Sequence, residues 1–134
     1  MAYEKPLPVP NADNKEFWES CKKHQLRIQK CHGCGELRWP PSFLCPHCHS
    51  QESEWVRVSG KGAVYTFTVF HRAYHLGFKG DIPYVTAVVE LDEGPHLLSN
   101  IVDCEPNEVR CDMPVEVVWE DINEDFSIPK FKPV

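Results

Sequence analysis

Apolar and polar residues alternate with a period of two through much of the second half of the chain. In the first such segment Tyr65, Phe67 and Val69 alternate with threonines, and three later segments repeat the pattern, at 85–91, 96–102 and 115–119. Successive side chains of a strand point to opposite faces, so this alternation predicts half-buried strands. Several short strands separated by turns predict a small antiparallel barrel.

Both ends of the chain show other patterns. The prolines at 6–10 predict an extended arm, since each fixes φ and removes an N–H donor. Phe17 and Cys21 lie one helical turn apart, and Asp13 with Glu16 has the spacing of a capping box. We therefore expect a short helix whose apolar face packs on another part of the protein. The tail at 127–134 is rich in proline, so we expect it along a surface and not in a central strand.

Four cysteines lie between the predicted helix and the predicted strands. They form two pairs, Cys31/Cys34 and Cys45/Cys48, in the run CHGCGELRWPPSFLCPHC. Two intervening residues allow both thiolates of one tight turn to point at the same ion, and a second turn completes a tetrahedron. The arrangement predicts a closed metal site, which has no open position for a reactive water and indicates an architectural role.

Zinc is the preferred metal, with two alternatives. A single iron ion in a rubredoxin-like site would use the same four thiolates. Disulfides are disfavoured because the chain has 7 cysteines, an odd number, and no apolar signal-peptide stretch near its start. His32, His47 and His49 lie close to the pairs, but four cysteines already fill a tetrahedron. We therefore interpret these histidines as surface residues.

Length and charge narrow the possible functions. We divide the 134 residues into an arm and helix at 1–26, a zinc ribbon at 27–54, a barrel at 55–122 and a tail at 123–134. Residues 51–134 carry 7 basic and 15 acidic side chains, an excess of acid that disfavours a nucleic-acid-binding groove. No apolar run of about 18 residues is present, so we expect a cytoplasmic protein without membrane contact.

One stretch departs from this charge balance. Residues 55–80 contain no Asp or Glu, while their basic residues are interleaved with aromatic ones: Arg57, Lys61, Arg72, Lys79, Tyr65, Phe67, Phe70, Tyr74 and Phe78. Such a local concentration of positive charge and aromatic rings suits a compact anion that carries a flat ring.

Together these features resemble a known family, a rubredoxin-like zinc ribbon followed by an OB-fold, described as acyl-CoA-associated and long catalogued as a domain of unknown function. The matching pieces are CHGCG, WPP, CPHC, SEWVRVSGKGAVYTFTVF, PYVTAVVELDEG, LLSNIV and MPVEVVWE. The resemblance covers nearly the whole chain and implies a mainly β fold with an N-terminal helix, a zinc ribbon and an OB-fold barrel. Ser42 replaces an arginine that is frequent in the family, and Asp112 replaces a usual glycine.

The resemblance also implies a function. Family members act as small accessory subunits of thiolase-superfamily enzymes, so the expected partner is a thiolase-like large subunit in a hetero-oligomer. The implied role is to help bind CoA and to stabilise the large subunit during thiolytic or retro-aldol carbon–carbon cleavage of a CoA thioester. Relatives occur with lipid-transfer-type thiolases and aldolases, with archaeal acetoacetyl-CoA thiolases and with benzoylsuccinyl-CoA thiolase, so an aromatic acyl-CoA is one candidate substrate.

The CoA-binding residues are expected in the acid-free stretch. Arginine and lysine bind phosphates, and adenine stacks on aromatic rings. Our hypothesis is that CoA contacts Arg72, Tyr74, Phe78 and Lys79, or that these residues line its entrance.

Several alternatives remain open at this point. Cys21, Cys104 and Cys111 are interpreted as small buried or partly buried residues and not as nucleophiles, which leaves catalysis to the large subunit. A stand-alone acyl-CoA carrier and a single-stranded nucleic-acid-binding module are the competing functions. Trp18 and Trp39 each either pack within the protein or mark a partner surface.

Overall fold

The structure, a computed structural model, describes residues 5–134. Helix α1 (Lys15–Lys22) precedes three strands, β1 (Arg27–Cys31), β2 (Leu37–Arg38) and β3 (Ser53–Arg57), which form an antiparallel sheet in the order β2–β1–β3. Five further strands close into a barrel in the order β4–β5–β6–β8–β7: β4 (Lys61–Phe70), β5 (Tyr84–Leu91), β6 (His96–Ile101), β7 (Pro114–Asp121) and β8 (Ser127–Pro133). The predicted fold class, a helix, a ribbon and a small barrel, is confirmed.

The barrel core follows the alternation in the sequence. On β5 the four alternating residues Val85, Ala87, Val89 and Leu91 are all buried, and Phe131 of β8 is completely buried. Neighbouring barrel strands are antiparallel except β6 and β8, which pair in parallel at Ile101 and Phe131. This closure gives the sheet one apolar interior. Among the helices of residues 5–134, none has the length and hydrophobicity needed to cross a bilayer.

A bulge in β4 corrects one expectation. Tyr65, Phe67 and Val69 were expected on one face, but the pairing with β5 shifts by one residue between Val64 and Thr66. Val64 is therefore buried, Tyr65 is 56 % exposed, and the inward face resumes at Phe67. An extra residue in one strand reverses the alternation beyond it, which the apolar pattern does not reveal.

The C-terminal tail also differs from the expectation, because it forms strand β8 between β6 and β7. Val102 N–H donates to the Phe131 carbonyl, and Ser99 Oγ donates to the Pro129 carbonyl, so the polar groups of odd-numbered residues face β6. Proline has no N–H group. At Pro129 and Pro133 the missing N–H would also have faced β6, with which β8 forms only one bridge pair. The side that faces β7 keeps its donors and pairs over the whole strand.

Helix α1 joins the ribbon to the barrel. Phe17 and Cys21 are buried on its inner face, as expected, and the Phe17 ring centroid lies 4.4 Å from that of Trp39. Trp18 lies edge-on to Phe126, at 6.1 Å. Both tryptophans therefore pack within the protein.

The predicted capping box is absent. The helix begins after Asn14, which makes no side-chain cap, while Oδ1 of Asn11 accepts hydrogen bonds from the N–H groups of Asp13 and Asn14. Asn11 binds the Asp13 N–H that Glu16 would bind in the expected capping box, and its carbonyl accepts the Lys15 N–H at 3.0 Å, so the cap lies two residues before Asp13.

Candidate metal centre and ligand-binding loop

The two cysteine pairs close turns of the same geometry. In the first turn the N–H of Gly35 donates to the Cys31 carbonyl, and in the second the N–H of His49 donates to the Cys45 carbonyl, both at 2.9 Å. The fifth residue of each turn is left-handed, with φ of 76° at Gly35 and 66° at His49. This shared geometry directs the thiols of both turns toward one point.

The four Sγ atoms all lie within 4.8 Å of one another. The Cys31–Cys48 and Cys34–Cys45 sulfur distances are 3.5 and 3.8 Å. A tetrahedral Zn²⁺ with Zn–S bonds of about 2.3 Å requires sulfur separations of about 3.8 Å. The donor set therefore fits a closed four-thiolate zinc site, while His32, His47 and His49 are exposed.

Backbone N–H groups favour the thiolate form of two of these cysteines. The N–H of Cys34 lowers the pKa of Cys31 to about 6, although burial opposes this shift. The N–H of Cys48 is likewise the largest cause that lowers the pKa of Cys45. Metal binding requires thiolates, so these two backbone hydrogen bonds favour the form of each cysteine that binds an ion.

Two of the three remaining thiols, Cys21 and Cys104, lack the features of a nucleophile. Burial raises the pKa of Cys21 to about 12. The pKa of Cys104 is also raised, first by burial and then by the charges of Glu108, Glu105 and Asp103. A thiol with a raised pKa stays protonated at neutral pH and reacts slowly. These shifts support the interpretation of both residues as structural.

The four residues expected to bind CoA lie in the loop at 71–83 between β4 and β5, and the structure separates them into two groups. Arg72 lies with its Cζ 5.5 Å from the ring centroid of Tyr74, which is 74 % exposed. Phe78 is half-buried, with its ring 5.3 Å from Tyr84. Lys79 is exposed and makes no ion pair with any residue between 5 and 134. Of these four residues, only Arg72 and Tyr74 contact each other through their side chains.

An aromatic chain connects the two groups. Ring centroids are 6.1 Å apart between Tyr74 and Phe70, 5.1 Å between Phe70 and Tyr84, and 5.3 Å between Tyr84 and Phe78. These contacts support the exposed loop from the end of β4 and the start of β5.

Phe78 also lines a cleft of about 280 Å³ at the same end of the barrel. Its polar side chains include Lys5, Asp81, Glu120 and Lys130, and Lys5 pairs with Asp81 while Lys130 pairs with Glu120. Sequence reasoning missed this cleft. Lys5 and Lys130 come from opposite ends of the chain, so no local motif connects them.

A four-cysteine ribbon joined to a closed five-stranded barrel defines a zinc-ribbon OB-fold protein. Two family models match the chain, the rubredoxin-like zinc ribbon domain of ChsH2 over residues 18–54 and the C-terminal OB-fold domain of ChsH2 over residues 55–120. The chain belongs to this ChsH2 family, whose relatives also carry the name DUF35.

Individual relatives are similar over most of the chain. A DUF35 domain-containing scaffold protein of Methanocaldococcus jannaschii is 38% identical over 125 residues, which cover 87% of this chain and 88% of that protein. A probable enoyl-CoA hydratase alpha subunit of Thermomonospora curvata is 39% identical over 129 residues and 96% of this chain. The chain spans only 40% of the length of that relative.

A solved structure shows the same arrangement. A chain in the structure of an Ltp2-ChsH2(DUF35) aldolase superposes with a TM-score of 0.87 at 38% sequence identity. The superposition covers 95% of this chain and 98% of that chain. The ribbon and barrel therefore have a close structural counterpart.

Proposed function

We propose that this chain is a zinc-containing, non-catalytic accessory subunit of a thiolase-superfamily complex that acts on CoA thioesters. The observation that carries the proposal is its superposition on nearly the whole length of a chain from a structure called an aldolase and named for two components. The closed cysteine site agrees with this role, because a four-thiolate zinc has no position for substrate. The large subunit then holds the catalytic groups for thiolytic or retro-aldol cleavage.

Within this role, the loop at 71–83 contacts CoA or lines its entrance. Arg72 and Lys79 supply exposed positive charge for phosphates, and Tyr74 and Phe78 supply rings for adenine. Two features support the assignment: the guanidinium already lies over the Tyr74 ring, and the aromatic chain fixes the base of the loop.

Steady-state kinetics of the complex test the loop assignment. The double variant Arg72→Gln/Lys79→Gln is expected to raise KM for the acyl-CoA about tenfold or more with little change in kcat, since charge-assisted contacts of about 1.5 kcal/mol or more are lost. The matched control is Arg57→Gln/Lys61→Gln, which removes the same charge before or at the start of β4. An unchanged KM in the loop variant, or an equal rise in the control, rejects the assignment.

Native co-purification tests the accessory role. The expected result is one large thiolase-like protein that co-elutes with this chain, zinc at one equivalent per chain, and loss of cleavage activity or stability when this chain is omitted. The isolated chain should bind CoA thioesters weakly. Micromolar binding without a partner would favour a stand-alone acyl-CoA carrier, and tight, salt-dependent binding of single strands would favour a nucleic-acid module.

A further inference from the structure

Arg38 is the only charged residue among those buried within residues 5–134, and it is 7 % exposed. Its Nε donates to Oε1 of Gln29 at 3.2 Å, and its Nη2 donates to the Ser42 carbonyl at 2.7 Å. Its Nη1 is buried and has no hydrogen-bond partner in the described part of the chain. A buried guanidinium is costly unless an opposite charge lies near it.

No carboxylate among residues 5–134 forms an ion pair with this guanidinium. The ion pairs among the described residues do not include Arg38, and both of its hydrogen-bond partners are neutral groups. Gln29 is itself buried, and its Oε1 also accepts the Ser42 N–H at 2.8 Å. This network fixes the position of the guanidinium but leaves its charge uncompensated.

Strand register places Arg38 and the metal ligand Cys31 on the same face of the ribbon sheet. Arg38 of β2 is paired with Gln29 of β1, and paired residues of neighbouring strands project from the same face. Cys31 follows Gln29 by two residues on β1, so it shares this face at a spacing of about 7 Å along the strand. Ser42, which accepts from Arg38, precedes the ligand Cys45 by three residues.

Four thiolates around one divalent ion carry a net charge of −2. We propose that Arg38 is the internal counter-charge of this metal centre. Its positive charge stabilises the tetrathiolate through the low-dielectric interior of the ribbon, and the Gln29–Ser42 network holds it in place. This role accounts for a buried arginine without a carboxylate, and it is independent of the proposed accessory function.

Zinc affinity, measured by competition with a chromophoric chelator, is the first test. Arg38→Gln is expected to lower the affinity about 10–100-fold, the range for groups that support metal ligands. Arg38→Lys keeps the charge and is expected to retain most of the affinity. Arg57→Gln, which removes an exposed cation from β3 of the same sheet, is the matched control and should leave the affinity unchanged.

The iron-substituted protein separates a charge effect from a structural effect. Reduction changes the site from −1 to −2, so a nearby cation favours the reduced form. Arg38→Gln is therefore expected to shift the Fe³⁺/Fe²⁺ midpoint potential to a more negative value, while Arg38→Lys keeps it close to that of the wild type.

If Arg38→Gln weakens zinc binding but leaves the potential unchanged, Arg38 is only structural and the proposal is wrong.

Gln29→Glu provides a second variant should Arg38→Gln fail to fold. The new carboxylate would neutralise the guanidinium in place, and it is expected to lower both the zinc affinity and the potential. A Gln29→Glu protein with wild-type values would likewise overturn the proposal.

Discussion

The left-handed residue of the first cysteine turn offers a test of how the metal site is built. Gly35 has φ of 76°, and a Cβ placed on it would meet no atom within 4 Å. Gly35→Ala therefore introduces no clash with neighbouring groups, and its cost is the backbone penalty of about 1–2 kcal/mol for a left-handed L-residue. The melting temperature should fall by roughly 4–8 °C.

Gly80→Ala is the matched control for this prediction. A Cβ on Gly80 also meets nothing within 4 Å, but its φ is not in the left-handed region, so the control should keep or slightly raise stability. Thermal unfolding of both variants at one fixed zinc concentration is the assay, because free zinc itself contributes stability. Equal melting temperatures for the two variants would refute the conclusion that the turn requires the left-handed conformation.

Three further outcomes are expected elsewhere in the molecule. Gly62→Ala should cost at least about 2 kcal/mol in urea unfolding, because its Cβ would lie 2.4 Å from the Glu90 carbonyl oxygen and would force β4 and β5 apart; wild-type stability would contradict this close approach. Asp121→Asn should lower the free energy of unfolding measured in urea at pH 6, and its difference from the wild type should shrink as the pH falls below the ordinary carboxyl pKa of about 3.9. The hydrogen bond from His24 is the largest cause that lowers the pKa of Asp121, so the contribution is present above the unfolded-state pKa of the carboxyl and is lost as pH falls through the lower folded-state value; a difference that stays constant as the pH falls would be inconsistent with this origin. In the folded zinc form, Ellman's reagent should label exposed Cys111 readily and buried Cys21 only after unfolding, and rapid labelling of Cys21 would show that the helix packing is incorrect.

The metal site was predictable from sequence because its information is local. Two tight turns need only short spacings and one shared ion, so Cys31, Cys34, Cys45 and Cys48 could be named without knowledge of the fold. Strand β5 was predictable for a similar reason, since its alternation is uninterrupted from Val85 to Leu91.

The departures have non-local or backbone causes. Tyr65 left the expected face because one residue was inserted into the pairing with β5, which apolar patterning does not encode. From the sequence alone, Pro129 and Pro133 are evidence against a central strand. The number of hydrogen bonds that a proline costs depends, however, on which neighbouring strand its missing N–H would have faced. That side is fixed only when β6 and β7 are both in place.

The positions of ribbon and loop on β4 argue that metal and ligand have separate tasks. The ribbon leads into β4 at Lys61, whereas the proposed CoA loop leaves β4 after Phe70. Ten residues of strand at about 3.3 Å each amount to roughly 30 Å. The strand thus separates the metal site from the groups that would hold CoA, and a four-thiolate site has no open position for a thioester, so the contribution of the metal to the proposed function is structural. Loss of zinc should therefore reduce the amount of assembled complex, while the complex that remains should keep its KM for acyl-CoA.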